Sequence, residues 1–186
     1  GHFNLGIGLL GTIYERSGVN SWWKEGSTWV SVDGTRVSGA KAMGIDVSMH
    51  QGQIDWGRVK SSGVNYAIIR CGYGSDYSEQ DDPQFLRNVS ECMKRGIPFG
   101  VYIYSYAYNT SMAQSEANHV LRLLNAAGLT PGKVSYPIYF DLENQGSNGR
   151  PGASGHSISN STLALWRPHF AVQLRMLAIE QVCMQI

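Results

Sequence analysis

From Met43 onward, short apolar runs alternate with longer stretches of helical period. Met43-Gly44-Ile45-Asp46-Val47-Ser48 reads as a strand with Asp46 and Ser48 on one face. Ile54, Trp56 and Val59 predict a short helix closed by Gly63. Val64 to Cys71 is a second buried strand, followed by a Gly72-Tyr73-Gly74 loop. Asp81 or Asp82 is expected to cap the next helix, with Pro83 in its first turn. Its apolar face is Phe85, Leu86, Val89, Cys92 and Met93, and Gly96 stops it. Ile97 to Tyr106 is a third strand. Thr110 or Ser111 opens a third helix whose face is Ala113, Ala117, Val120, Leu121 and Leu124, closed by Gly128. The fourth strand spans 135–143, with Pro137 placed where a missing N–H costs least. Strand and helix in alternation make βαβ units and a parallel sheet. The nearly continuous apolar strands agree, because parallel sheets are covered on both faces. A doubly wound sheet and a β/α barrel both fit this order.

The fourth strand ends in chemistry. Tyr139, Asp141 and Glu143 share one face, and the Cα atoms of the two acids lie roughly 6.5 Å apart. Like charges that close raise one of the two pKa values, which leaves an acid able to donate a proton near neutrality. Glycoside hydrolysis uses such a pair. The other strands add polar groups at their carboxyl ends: Asp46, Arg70, and Tyr104 to Tyr106. Barrel enzymes keep their sites at that end. A dinucleotide fold does not fit, because Gly72-Tyr73-Gly74 lacks the third glycine and opens no helix.

Composition narrows the picture. The chain has 186 residues, 42% hydrophobic and 16% charged, with a formal charge of +1. That size suits one domain with a sizeable core, and that charge gives no reason to expect a nucleic-acid or membrane partner. Cys71, Cys92 and Cys183 form no paired framework and read as buried thiols. His50, His119 and His156 have no ligand-like spacing, so no metal and no cofactor are expected. The apolar run from Leu5 to Tyr14 is too short to span a bilayer, and no signal peptide is visible. Residues 1–20 carry no assignable pattern. In 21–41, Trp22, Trp23, Trp29 and Val30 alternate with turn residues, and Val32-Asp33-Gly34 is a hairpin signal. The stretch resembles the aromatic hairpin repeats of bacterial cell-wall-binding modules. It reads equally as a Trp-rich hairpin packed on the main domain.

Seven groups of residues recur in the order and spacing of a known family. They are Gly44-Ile45-Asp46-Val47-Ser48; His50-Gln51-Gly52 with Ile54-Asp55-Trp56; and Ala67-Ile68-Ile69-Arg70 with Gly72-Tyr73-Gly74. Then come Asp82-Pro83-Gln84-Phe85 with Asn88; Gly96-Ile97-Pro98 and Gly100-Val101-Tyr102 with Tyr104-Ser105; Glu116-Ala117; and Pro137-Ile138-Tyr139 with Asp141-Leu142-Glu143. Over roughly 42–145 the chain resembles glycoside hydrolase family 25, the Chalaropsis-type lysozymes. The resemblance implies a TIM-like β/α barrel, extracellular or at the cell wall. It would cleave the β-1,4 bond between N-acetylmuramic acid and N-acetylglucosamine in the glycan strands of peptidoglycan. It maps the catalytic acid onto Glu143 and helper carboxylates onto Asp141 and Asp46. Tyr104 and Tyr139 are candidates to contact sugar, or are core tyrosines. Arg70 holds an acid or a substrate carboxylate, or forms a structural ion pair with Asp46 or Glu143. Gln51 is a substrate-side candidate that otherwise holds its own loop.

After Glu143 the pattern breaks. Residues 144–162 are rich in Gly, Ser and Asn, and family-like residues vanish from about Leu165. The chain therefore reads as residues 1–41, a linker and hairpin remnant, and 42–186, an incomplete catalytic domain with the first four or so strand-helix units. Four strands would leave an open edge that favours self-association. Read one base earlier, suitable codons for 165–186 can encode AMATAFCSTIENAGYRAGVYAN, which resembles the family's fourth helix and fifth strand. This predicts a reading-frame shift near Ala164. The alternatives to a muramidase are a truncated, non-catalytic fragment that at most binds cell wall through Trp22, Trp23 and Trp29, and, remotely, another barrel glycan hydrolase.

Overall fold

The computed structural model describes residues 22–141 and 182–185. The first part is an antiparallel meander of β1 (Trp22–Glu25), β2 (Thr28–Ser31) and β3 (Arg36–Ser38). Gly26 and Gly34 adopt positive φ in the two turns, a conformation that glycine takes without a Cβ clash. The Ser31 hydroxyl hydrogen-bonds the Asp33 carboxylate, which also accepts from the Thr35 N–H at 3.0 Å. Asp33 thereby fixes the second turn.

The second sheet is parallel, in the order β4 (Gly44–Val47), β5 (Tyr66–Tyr73), β6 (Phe99–Tyr104), β7 (Ile138–Asp141) and β8 (Val182–Gln185). It thus has a fifth strand beyond the four expected. The intervening helices are α1 (Trp56–Ser61), α2 (Phe85–Arg95) and α3 (Thr110–Ala126). The Asp55 side chain caps α1 by accepting from the Arg58 N–H, and Gly96 ends α2 in the left-handed region. The cap of α3 is Asn109, which accepts from the Met112 N–H at 2.9 Å, rather than Thr110 or Ser111. α2 has no side-chain cap at Gln84, and neither Asp81 nor Asp82 serves as its N-cap. Asp82 lies two residues before that cap, where its carboxylate accepts from the Gln84 N–H and also pairs with an arginine.

The core lies between one face of the parallel sheet and the helices. Ala67, Ile69, Val101, Ile103, Ile138 and Phe140 of that face are fully buried, as are Phe85, Val89, Cys92, Ala117, Val120 and Leu124 from the helices. Leu86 and Met93, expected in this core, are exposed instead. Each lies about 100° round the helix from Phe85 and Cys92. The buried stripe is Phe85, Asn88, Val89 and Cys92, with the Asn88 Oδ1 accepting from the Trp56 Nε1 at 3.0 Å. No helix among the described residues is long and apolar enough to cross a membrane.

Candidate active site

Because residues paired across a parallel ladder share a face, the register sorts the strands into two sets. The set opposite the helices contains Asp46 and Ile68, then Arg70, Tyr102 and Tyr139, then Tyr73, Tyr104 and Asp141. Asp46 is exposed, Tyr73, Tyr102, Tyr104, Tyr139 and Asp141 are half-buried, and Arg70 is buried. Polar and aromatic side chains therefore gather on the open face, toward the carboxyl ends of the strands. Glu143 lies outside the described residues. So do His156, Cys183's side chain, residues 1–21 and most of 142–186.

A bulge gives this face one of its members. The ladder between β5 and β6 shifts between Arg70 and Gly72, so that Arg70 pairs with Tyr102 and Tyr73 with Tyr104. Without the extra residue, simple alternation would turn Tyr73 toward the helices. With it, Tyr73 joins Arg70, whose guanidinium carbon lies 5.9 Å from the ring centre. Tyr106 completes an aromatic wall: its ring is 5.4 Å from Tyr104, edge to face, and 5.7 Å from Tyr73.

Tyr102 sits between the carboxylates. It is hydrogen-bonded to Asp46, and its pKa is raised first by burial, then by the charge of Asp46, with a smaller effect from Asp141. The Arg70 charge acts on it in the opposite direction. Asp46, Arg70, Tyr102 and Asp141 therefore share one electrostatic neighbourhood. Tyr102, part of a family motif but not among the site candidates read from the sequence, stands two positions before Tyr104 on the same strand face.

Arg70 is held from behind. Its Nε donates to the Asp82 Oδ2 at 2.9 Å, with both side chains buried. Asp82 is thus an ion-pair partner of Arg70; Glu143, the other acid expected beside it, lies outside the described residues. Asp82 also accepts from the N–H groups of Met49, at 2.8 Å, and Gln84, at 2.9 Å. One carboxylate therefore ties the loop after β4 to β5 and to the entry of α2. The Nη2 of Arg70 is buried and has no hydrogen-bond partner among the described residues. Gln51 acts locally: its Oε1 accepts from the Ser48 N–H at 2.7 Å, and Ser48 accepts from the His50 N–H. That closed box fixes the loop after Asp46.

Two further groups brace the rim. Glu116 of α3 is fully buried and accepts from the Ser105 hydroxyl and the Tyr106 N–H, both at 2.7 Å. Burial pushes its carboxyl up to about 7 against these hydrogen bonds. The loop after β5 is clamped to α3 as well. His119 reaches Gly74 O at 3.0 Å and Asp81 at 2.8 Å, and Arg122 donates to Asp81 and Asp76. Burial alone would raise the Asp81 pKa, but the hydrogen bonds from Arg122 and His119 outweigh it and lower it. No cluster of metal-ligating side chains occurs among the described residues.

Residues 45–165 match the model of the glycosyl hydrolases family 25. Lysozyme M1 of Streptomyces globisporus is 30% identical over 123 residues, which is 66% of this chain and 38% of that one. Among solved structures, the modular autolysin LytC from Streptococcus pneumoniae, in complex with a synthetic peptidoglycan ligand, superposes with a TM-score of 0.68 at 25% identity, covering 88% of this chain and 37% of that one. A bacterial lysozyme from Streptomyces coelicolor gives a TM-score of 0.60 at 23% identity, covering 79% and 63%. The chain thus spans 38% of the length of Lysozyme M1 and 37% of that of the autolysin.

Proposed function

Because the chain belongs to glycosyl hydrolases family 25, we propose that it is a muramidase that hydrolyses the β-1,4 bond between N-acetylmuramic acid and N-acetylglucosamine in peptidoglycan. The observation that carries this reading is the pairing of Tyr102 with Asp46 on a face that also carries Asp141. On this reading Glu143 protonates the leaving oxygen. Asp46 and Asp141 stay ionised and stabilise the positive charge that develops at the sugar ring. Tyr102 holds the Asp46 carboxylate in place, and Arg70 faces the substrate from its seat on Asp82. Tyr104 and Tyr139 are the sugar-facing tyrosines, an assignment supported by their half-buried places on the open face. Gln51 serves by keeping the loop after Asp46 in shape.

The same reading takes the parallel sheet as part of a TIM-like β/α barrel, within a catalytic domain over 42–186 that acts outside the cell or at the wall. The frame shift proposed near Ala164 is supported by the end of the family match at residue 165; sequencing the encoding DNA tests it. Self-association through an outer strand is tested by sedimentation velocity over a range of concentrations. Clearing of a Gram-positive cell-wall suspension by this chain, and its loss in Glu143→Gln, is the expected result for the muramidase. No clearing by either protein would sink the catalytic reading.

A second reading, cell-wall binding without catalysis, is favoured by the exposed Trp22 of the meander. It predicts that Trp22→Ala lowers retention on purified cell wall, whereas Glu143→Gln does not.

A further inference from the structure

The proposed reaction leaves unused a carboxyl group buried beneath the site. Glu116 lies in the first half of α3, fully buried, with both oxygens aimed at the turn that follows β6. Its Oε2 accepts from the Ser105 hydroxyl and its Oε1 from the Tyr106 N–H. Ser105 Oγ in turn accepts from the Ala107 N–H at 3.1 Å. The whole 105–107 turn is therefore wired to one side chain.

This turn carries two connections into the site. Tyr106 supplies the ring that packs on both Tyr104 and Tyr73. The Ser105 N–H donates to the Asp141 carbonyl oxygen at 2.8 Å, joining the turn to the end of β7. Apolar packing alone would be met by a leucine, with no charge to desolvate. A buried carboxyl group that accepts two hydrogen bonds does something packing cannot: it fixes the direction of each donor.

We propose that Glu116 is a positioning residue that, by holding the 105–107 turn, sets the wall of Tyr73, Tyr104 and Tyr106 against which a sugar ring of the glycan strand packs. The identity of the ligand rests on the muramidase reading; the holding role rests on geometry. Half-buried tyrosines present an apolar ring and a polar tip together, which suits a sugar's apolar face and hydroxyl rim.

The test compares the full chain with Glu116→Gln, Glu116→Ala and Ser105→Ala. One readout is the set of NMR contacts between the Tyr106 ring and the rings of Tyr104 and Tyr73. The other is calorimetric binding of soluble N-acetylglucosamine–N-acetylmuramic acid oligomers, with KM and kcat where turnover is measured. Glu116→Ala is expected to lose the ring contacts and to weaken binding roughly tenfold, with KM moved more than kcat. Glu116→Gln keeps an acceptor for the Tyr106 N–H and a polar partner for Ser105, so it should restore both readouts. Ring contacts and affinity that survive Glu116→Ala would overturn the proposal, as would a Glu116→Gln variant as impaired as the alanine. If Glu116→Ala does not fold, Ser105→Ala decides: a smaller loss in the same direction supports the role, and no change overturns it. If the unaltered chain binds no oligomer, the muramidase reading fails, and the ring contacts alone judge the holding role.

Discussion

Two buried acids set the expectations at the scale of single residues. Asp82 neutralises Arg70 in a place that water scarcely reaches. Asp82→Ala would strand that guanidinium and release two backbone N–H groups, so a loss of about 3–5 kcal/mol is expected in urea unfolding. Arg70→Met, which removes the charge as well as the bond, should be less costly than stranding it. Glu116 acts through pH. Its carboxyl sits at about 7 in the fold against an ordinary 4.5, so between those values the folded chain holds a proton that the unfolded chain has lost. The stability this confers is present in full below about 4.5 and is lost as pH rises to about 7. The contribution is about 3 kcal/mol. Subtracting the stability curve of Glu116→Gln from that of the unaltered chain should give a slope confined to this window; a flat difference would show that Glu116 does not titrate there.

Secondary elements make a different kind of prediction. A Cβ added at Gly72 would stand 2.7 Å from the Gln80 backbone carbonyl oxygen and 2.8 Å from the His119 ring, which two hydrogen bonds hold in place. Gly72→Ala should therefore cost about 1–3 kcal/mol and, because Gly72 follows the bulge, should also disturb Tyr73. Thermal melts read the first effect and the Tyr73 ring contacts the second. This stretch also marks where the sequence stops being legible. The apolar spacing of 64–71 announces a strand, but nothing local says that the ladder slips after Arg70 and carries the strand on to Tyr73. That outcome depends on the pairing with β6 and on Asp81, which bridges to Gly72 from another segment. The partners of Arg70 and Glu116 are equally long-range, whereas the Gln51–Ser48 box and the Asp55 cap are local and readable from spacing.

For the molecule as a whole, one sheet separates two environments. Alternation along each strand made that division legible: Ile45 and Val47 against Asp46, Ile138 and Phe140 against Tyr139 and Asp141. The helix-covered side holds the core, and the other side gathers the polar and aromatic side chains. Ser105 and Gly74 lie just past the strands, yet the Ser105 N–H reaches the Asp141 carbonyl and the Gly74 N–H reaches the Tyr104 carbonyl at 2.9 Å. The ladder thus continues into the rim. Its consequence is thermodynamic. Amide exchange at these two positions should be as slow as in the adjoining strands, because opening them requires opening the sheet. The ordering entropy of the rim is then settled when the chain folds. A ligand that docks there would meet a surface already ordered, and its association should carry little of the entropic penalty that a loop-closing site imposes.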